Sequence, residues 1–402
     1  MIKLSLNIPT HVIAMNKTTI LSLALLLAAC APSLQPPPQV ATCPAAIDLE
    51  QSSKSTGYQQ ALDRMVKNGV PGVTLAVYSS EGWYTASAGM ARIEDRTPMQ
   101  SCHLQYLQSV AKTYTAVAIL QLYEQGKIDL DAPLTKYLPS AQARAITRAS
   151  AISIRMLLAH TSGIPEYNMQ PAYITRLLQH PDYIFQPVEY FQFIDGQPLN
   201  FEPGSRYTYC NTNYEILALI ADAITGDHAR FITDHILKPL GLTHTYYRAE
   251  PGYMNYPNLV NTYWDRYSDG IVENATVLQH NNVVSLIGDD GIVATPADAV
   301  KFLRGLMEGK LLSPPTMALM KTWSNDSHGN PTYGLGLDYA RFHGAVALGH
   351  SGGGIGAGCQ LYYFPDKALY FFLGANLGTV TASPIHEALQ TELNVLHELM
   401  LR

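Results

Sequence analysis

Ser109 and Lys112 stand three residues apart in Ser109-Val110-Ala111-Lys112. On a helix this spacing puts both side chains on one face. A serine hydroxyl is a poor nucleophile until a neighbouring base takes its proton. A lysine in a dry pocket loses hydration, so its pKa falls and it can be that base or tune another. Two more clusters carry groups for the same chemistry. Tyr209-Cys210-Asn211 follows Pro203-Gly204 and precedes a helical stretch. It offers a phenol and a carboxamide, or simply loop residues that cap the helix. His350-Ser351-Gly352 ends an apolar run and opens a glycine-rich stretch, offering an imidazole or a turn that needs glycine. Each pattern alone is common by chance; the three together are far more specific.

The elements around these clusters set the fold class. Tyr58 to Asn68 reads as a helix stopped by Gly69 and Pro71. Val73–Tyr78 and Trp83–Ala88 read as strands joined by a turn over 79–82. Ser109–Gln125 is apolar along most of its length, which predicts a helix buried nearly all round. Helical stretches fall near 153–159, 213–225, 229–237 and 297–308, with long loops between. Val346–Leu348, Gln360–Phe364 and Leu369–Leu373 are strand-like, and Pro384–Leu401 is a final amphipathic helix. Strands therefore lie at both ends and helices in the middle. The economical architecture is an α/β (α+β) fold, with one antiparallel sheet from both chain ends flanked by helices, plus a mainly helical lobe. The expected division is an α/β lobe over about 49–125 and 326–402 and a helical lobe over about 126–325.

On these motifs the chain resembles the serine β-lactamase and DD-peptidase superfamily, on the class C side. The superfamily pattern is SxxK, SDN and KTG; here the second motif takes the YxN form and the third the HxG form. Leu157-Leu158-Ala159-His160-Thr161-Ser162-Gly163-Ile164, Pro239-Leu240-Gly241-Leu242 and Tyr333-Gly334-Leu335-Gly336-Leu337 also look like family segments. The match runs in order from about residue 58 to 400. The resemblance implies a β-lactamase/transpeptidase-like fold. It implies that Ser109 attacks a carbonyl to form an acyl-enzyme, with Lys112 as proton acceptor or tuner. Tyr209 would be a phenolic general base and proton shuttle, which requires cations beside it; Lys112 and His350 are the candidates. Asn211, His350, Ser351 and Gly352 would bind substrate, Asn211 also holding Lys112. The backbone N–H groups of Ser109 and Gly353 would form the oxyanion hole. No metal or organic cofactor is implied, and His160 falls in a stretch that looks structural.

A competing pattern overlaps the third cluster. Gly349-His350-Ser351-Gly352-Gly353 fits GxSxG, which would make Ser351 the nucleophile. That elbow needs a strand, a sharp turn and a helix, whereas Gly354, Gly356, Gly358 and a strand-like run follow here. Gly352, Gly354 and Ala357 also match a loose dinucleotide pattern, again with no helix after them.

The N-terminus reads as a targeting segment. Lys17 precedes an apolar run from Ile20 to Ala29, too short for a permanent membrane span. Leu27-Ala28-Ala29-Cys30 resembles the lipobox of bacterial lipoproteins, so residues 1–29 are expected to be a signal peptide and Cys30 a lipidation site. Met15 is an alternative start. Residues 30–48 are rich in proline and read as a tether, leaving 49–402 as the catalytic domain. Ala31 favours the outer membrane, facing the periplasm. Lipidation of Cys30 leaves four cysteines; Cys43 with Cys102 is the favoured pairing, because both lie outside the regular segments.

Composition narrows the partners. The chain has 402 residues, of which 47% are hydrophobic and 14% charged, with net charge −6. Few charges and many apolar residues exclude disorder. The missing basic excess excludes nucleic acid. The membrane partner is expected through the lipid anchor only, and the body is expected to be a monomer. His350 in place of lysine weakens the case for a substrate carboxylate. The expected activity is D-alanyl-D-alanine carboxypeptidase-like or esterase. The alternatives are a β-lactamase and a non-catalytic penicillin- or peptidoglycan-binding lipoprotein.

Overall fold

A computed structural model describes residues 54–402. The expected signal peptide, Cys30, the tether and Cys43 lie outside these residues. Helix α1 (Ser55–Lys67) buries Tyr58, Ala61, Leu62 and Met65, an i, i+3, i+4, i+7 stripe that pins one face to the sheet. Strands β1 (Gly72–Ser79) and β2 (Gly82–Arg92) follow as a hairpin closed at Ser79 and Gly82. β3 (Thr97–Pro98) ends this segment.

The middle of the chain supplies helices, among them α2 (Ala111–Glu124), α3 (Thr212–Thr225) and α4 (Pro296–Met307). The rest of the sheet comes after them: β4 (Ser324–Asn325), β5 (Pro331–Tyr333), β6 (Asp338–Phe342), β7 (Ala345–Gly353), β8 (Gly358–Phe364) and β9 (Leu369–Ala375). Helix α5 (Pro384–Leu401) closes the chain. The nine strands form one sheet in the order β3-β2-β1-β9-β8-β7-β6-β5-β4. Its central join is antiparallel, from Val73 opposite Ala375 to Tyr78 opposite Tyr370. The sheet is thus built from both ends, as the sequence predicts.

Alternation divides the core into two layers. Leu75, Val77, Phe371 and Leu373 pack with α1 and α5. Ala76, Leu361 and Phe372 pack on the other face with α2, α4 and the mid-chain helices. β9 is buried at every position, as a central strand covered on both faces must be.

Some expectations need correction. Helix α2 starts at Ala111, not Ser109. A 3-10 turn over Gln108–Val110 leads into it, after Gln108 adopts φ +50°. The strand predicted at Val346–Leu348 runs on to Gly353, because antiparallel pairing with β8 holds the glycines extended. β6 and the helices Pro171–Gln179, Thr276–Ser285 and Pro314–Met320 were not anticipated. Near 229–237 the helix loosens into a π turn over Thr233–Leu237. Gly336 locks a loop onto α2: its φ is +86°, and a Cβ there would lie 2.1 Å from the Cβ of Ala116. No helix among the described residues is long and apolar enough to cross a membrane.

Candidate active site

Ser109 sits in the 3-10 turn that opens α2. Burial of α2 from Ala111 to Leu120 fixes this turn deep in the molecule. The turn rests on β7. A Cβ at Gly352 would lie 2.5 Å from the Leu107 carbonyl oxygen and 2.7 Å from Gln108 Cβ. The third motif therefore needs its glycine so that the strand can lie against the nucleophile turn.

Lys112 is fully buried. Its Nζ lies 3.0 Å from Ser109 Oγ, 2.7 Å from Asn211 Oδ1 and 3.0 Å from the Asp289 carbonyl oxygen. The last two atoms can only accept, so Nζ gives a hydrogen to each. A neutral amine then has no hydrogen left, and its lone pair faces the serine hydroxyl. Burial pulls the Lys112 pKa down, while the carboxylates of Asp289, Asp290, Glu166 and Glu215 oppose that fall. Glu166 fixes the Asn211 carboxamide from behind. Its Oε2 accepts from the Asn211 backbone N–H at 2.5 Å and from Nδ2 at 3.1 Å, which turns Oδ1 toward Lys112. Glu166 and Asp289 carry no motif of their own, and sequence reading missed both.

Tyr209 lies beside this group, with Lys112 Nζ 5.1 Å from its ring centroid. Its hydroxyl is buried without a well-aligned hydrogen bond. Burial holds its pKa well above 10, partly offset by the neighbouring Ser109 hydroxyl. The ground state is therefore a neutral phenol. His350 is also buried. Its Nδ1 bonds the Ser351 carbonyl oxygen at 2.5 Å, so Nδ1 carries the hydrogen. Its Nε2 then accepts from the Tyr333 hydroxyl at 3.0 Å. Burial lowers the His350 pKa, against the pull of Asp338. Of the two candidate cations beside Tyr209, Lys112 remains, because the bonding of His350 suits a neutral ring.

The structure brings Ser109, Lys112, Tyr209, Asn211 and His350 together and leaves the Ser351 side chain apart. His350 pairs with Leu361, on the α2 face, whereas Ser351 pairs with Gln360, on the α1/α5 face. The GxSxG pattern lies in β7 and is followed by β8, so no strand–turn–helix elbow exists there. Backbone geometry gives residues 350–353 another role. β6 pairs with β7 only between Phe342–Ala345 and Asp338–Gly349. Beyond Gly349 that edge of β7 is open. The Ser351 N–H points out of this edge, to Asp338 Oδ2 at 3.3 Å. By the two-residue repeat the Gly353 N–H points the same way. With the Ser109 amide it forms the candidate oxyanion pair.

His160 anchors the second motif. It is fully buried, and its Nδ1 accepts from the Cys210 N–H and from Asn213 Nδ2, both at 3.2 Å. The Cys210 thiol donates to the Ile164 carbonyl oxygen at 3.4 Å, and burial raises its pKa. A serine hydroxyl can make the same bond. Cys210→Ser is expected to retain turnover within about threefold of wild type; a larger loss with an unchanged melting temperature would contradict this. Cys102 is disulfide-bonded, whereas Cys210 and Cys359 are free and buried.

The acids beneath Lys112 give a pH signature. Burial first, then the neighbouring Asp289, pushes the Asp290 pKa up to about 7. A carboxyl whose folded pKa is raised binds more protons folded than unfolded between about pH 4 and 7. Stability from this group is then greatest at low pH and is lost as pH rises through 7. Asp290→Asn is expected to flatten that decline, read as a smaller drop in melting temperature between pH 5 and 8. An unchanged slope would refute it.

The antiparallel sheet with its helical cover, and the Ser–Lys–Tyr cluster beneath one strand edge, define a β-lactamase/transpeptidase-like fold. The chain belongs to the Beta-lactamase family, whose model matches residues 58–391. It is 28% identical to the putative penicillin-binding protein PbpX of Bacillus subtilis over 297 residues, 72% of this chain and 67% of that protein. It is 27% identical to Protein flp of Staphylococcus aureus over 197 residues, 47% of this chain but 38% of that protein's length. Among solved structures, a D-stereospecific amidohydrolase from Streptomyces superposes with a TM-score of 0.72 at 27% identity, covering 83% of this chain and 98% of that one. The D-amino acid amidase of Ochrobactrum anthropi shares the fold, with a TM-score of 0.76 at 24% identity over 87% of this chain and 99% of that one.

Proposed function

We propose that this protein is a serine hydrolase that cleaves amide or ester bonds of D-amino acid derivatives through an acyl-enzyme on Ser109. The observation that carries the reading is the 3.0 Å contact of Lys112 Nζ with Ser109 Oγ, made by a buried nitrogen that also bonds Asn211 and the Asp289 carbonyl oxygen. Lys112 takes the hydroxyl proton as Ser109 attacks the carbonyl carbon. The amides of Ser109 and Gly353 take the developing oxyanion. Tyr209, as a neutral phenol, gives a proton to the leaving group and is recharged from Lys112. Water then cleaves the acyl-serine by the reverse proton path. The similarity to a D-stereospecific amidohydrolase supports the substrate class.

The test is fluorophosphonate labelling with turnover of four substrates: a D-amino acid amide, a short-chain p-nitrophenyl ester, a D-Ala-D-Ala peptide and nitrocefin. We expect one label, on Ser109, and faster turnover of the amide and ester than of nitrocefin. Labelling without turnover of any of the four would make the chain an acylated binder and sink the proposal.

A further inference from the structure

Substrate lying against Ser109 must run along the open edge of β7, since Gly352 packs on the nucleophile turn. The charge on that edge comes from Asp338. This residue starts β6 opposite Gly349, on the same face as Ala340 and Ala347, which pack toward α1 and α5, and its carboxylate meets the edge at the Ser351 N–H. Its Oδ2 accepts from the Ser351 N–H at 3.3 Å and from the Tyr362 hydroxyl at 2.9 Å. Both partners are neutral, so neither cancels its charge. Neither cationic candidate nearby pairs with it. Lys112 Nζ bonds Ser109, Asn211 and Asp289 instead, and His350 is held in the bonding of a neutral ring. Burial is the main cause that raises the pKa of Tyr207 and Tyr209, and the charge of Asp338 adds to it.

We propose that Asp338 is a specificity-determining residue: its carboxylate at the open edge of β7 disfavours substrates with a free carboxylate there and selects neutral carboxamides and esters. The inference rests on the acyl-enzyme reading above and deepens it. A carbonyl held at the Gly353 N–H stands about 7 Å along the strand from Ser351. A terminal carboxylate one residue away from the scissile carbonyl therefore comes close to a like charge in a partly desolvated cleft. A carboxamide at the same place meets no repulsion, and its N–H can donate to the carboxylate. The Ser351 N–H is already occupied by Asp338, so it offers a substrate carboxylate nothing in return.

The experiment compares N-acetyl-D-Ala-D-Ala with its C-terminal carboxamide, on wild type and Asp338→Asn, alongside fluorophosphonate labelling. Asparagine keeps the acceptor for Ser351 and removes the charge. Wild type is expected to favour the carboxamide in kcat/KM by about tenfold, less at high salt. Asp338→Asn should bring the ratio toward one, mainly through a lower KM for the acid. A wild-type preference for the acid, or a ratio that Asp338→Asn and salt both leave unmoved, overturns the inference while a labelled Ser109 keeps the acyl-enzyme reading. An unlabelled, inert wild type overturns both.

Discussion

Ser109→Ala is expected to lose all fluorophosphonate labelling and to lower turnover of its best substrate by at least about 10³-fold. The effect is large because nothing else in the cluster can replace the nucleophile. The Tyr209 phenol is neutral, and its pKa is held well above 10. The Cys210 thiol faces the Ile164 carbonyl oxygen with its pKa raised by burial. The Ser351 side chain lies on the far face of the sheet from His350. The fold should tolerate the change, since removing one half-buried hydroxyl leaves Lys112 still bonded to Asn211 and Asp289. Mass spectrometry of labelled wild type, Ser109→Ala and Ser351→Ala decides the matter. Label that survives in Ser109→Ala and disappears in Ser351→Ala would reverse the assignment.

Much of this site is legible in the chain because its key pairs are local. Ser109 and Lys112 are three residues apart at the head of a helix, so spacing alone makes them neighbours. Tyr209 and Asn211 flank one residue of a loop, and Gly352 adjoins His350. The two-ended sheet is legible for a similar reason: β1, β2, β8 and β9 each carry enough β-branched and aromatic residues between turn signals. What stays hidden depends on long-range contacts. Glu166 reaches Asn211 across 45 positions, and Asp289 reaches Lys112 across 177, with no pattern linking either pair. The charge of His350 could not be read either, because it depends on Tyr333 and on the Ser351 carbonyl. Ser351 illustrates a different limit. A motif names its residues in order, but the pleat sends alternate side chains to opposite faces, and only the register with β8 shows which one meets the nucleophile. β6 escaped notice because Asp338-Tyr339-Ala340-Arg341-Phe342 mixes polar and apolar positions on a strand that is only partly covered.

Lys112→Met is expected to cost about 10²- to 10⁴-fold in the labelling rate, the range for loss of a positioned base. Three functions fall together. The proton acceptor beside Ser109 goes, Asn211 Oδ1 loses its 2.7 Å partner, and the Asp289 carbonyl oxygen loses its 3.0 Å partner. The variant also leaves the acids at 166, 215, 289 and 290 without the cation that sits among them. These carboxyls can respond by holding protons, which limits the loss of fold stability but not the loss of rate. The pH profile separates a base from a mere charge. A lysine base works as the neutral amine, so wild-type labelling should climb with pH through a pKa lying below the ordinary 10.5, and Lys112→Met should lack that limb. Lys112→Arg supplies the second arm, because a guanidinium keeps the charge and stays protonated at any working pH. It should not restore labelling. Recovery of the rate in Lys112→Arg, or a wild-type profile flat from pH 6 to 10, would mean that Lys112 serves the site only as a fixed positive charge and that Ser109 gives its proton to another group.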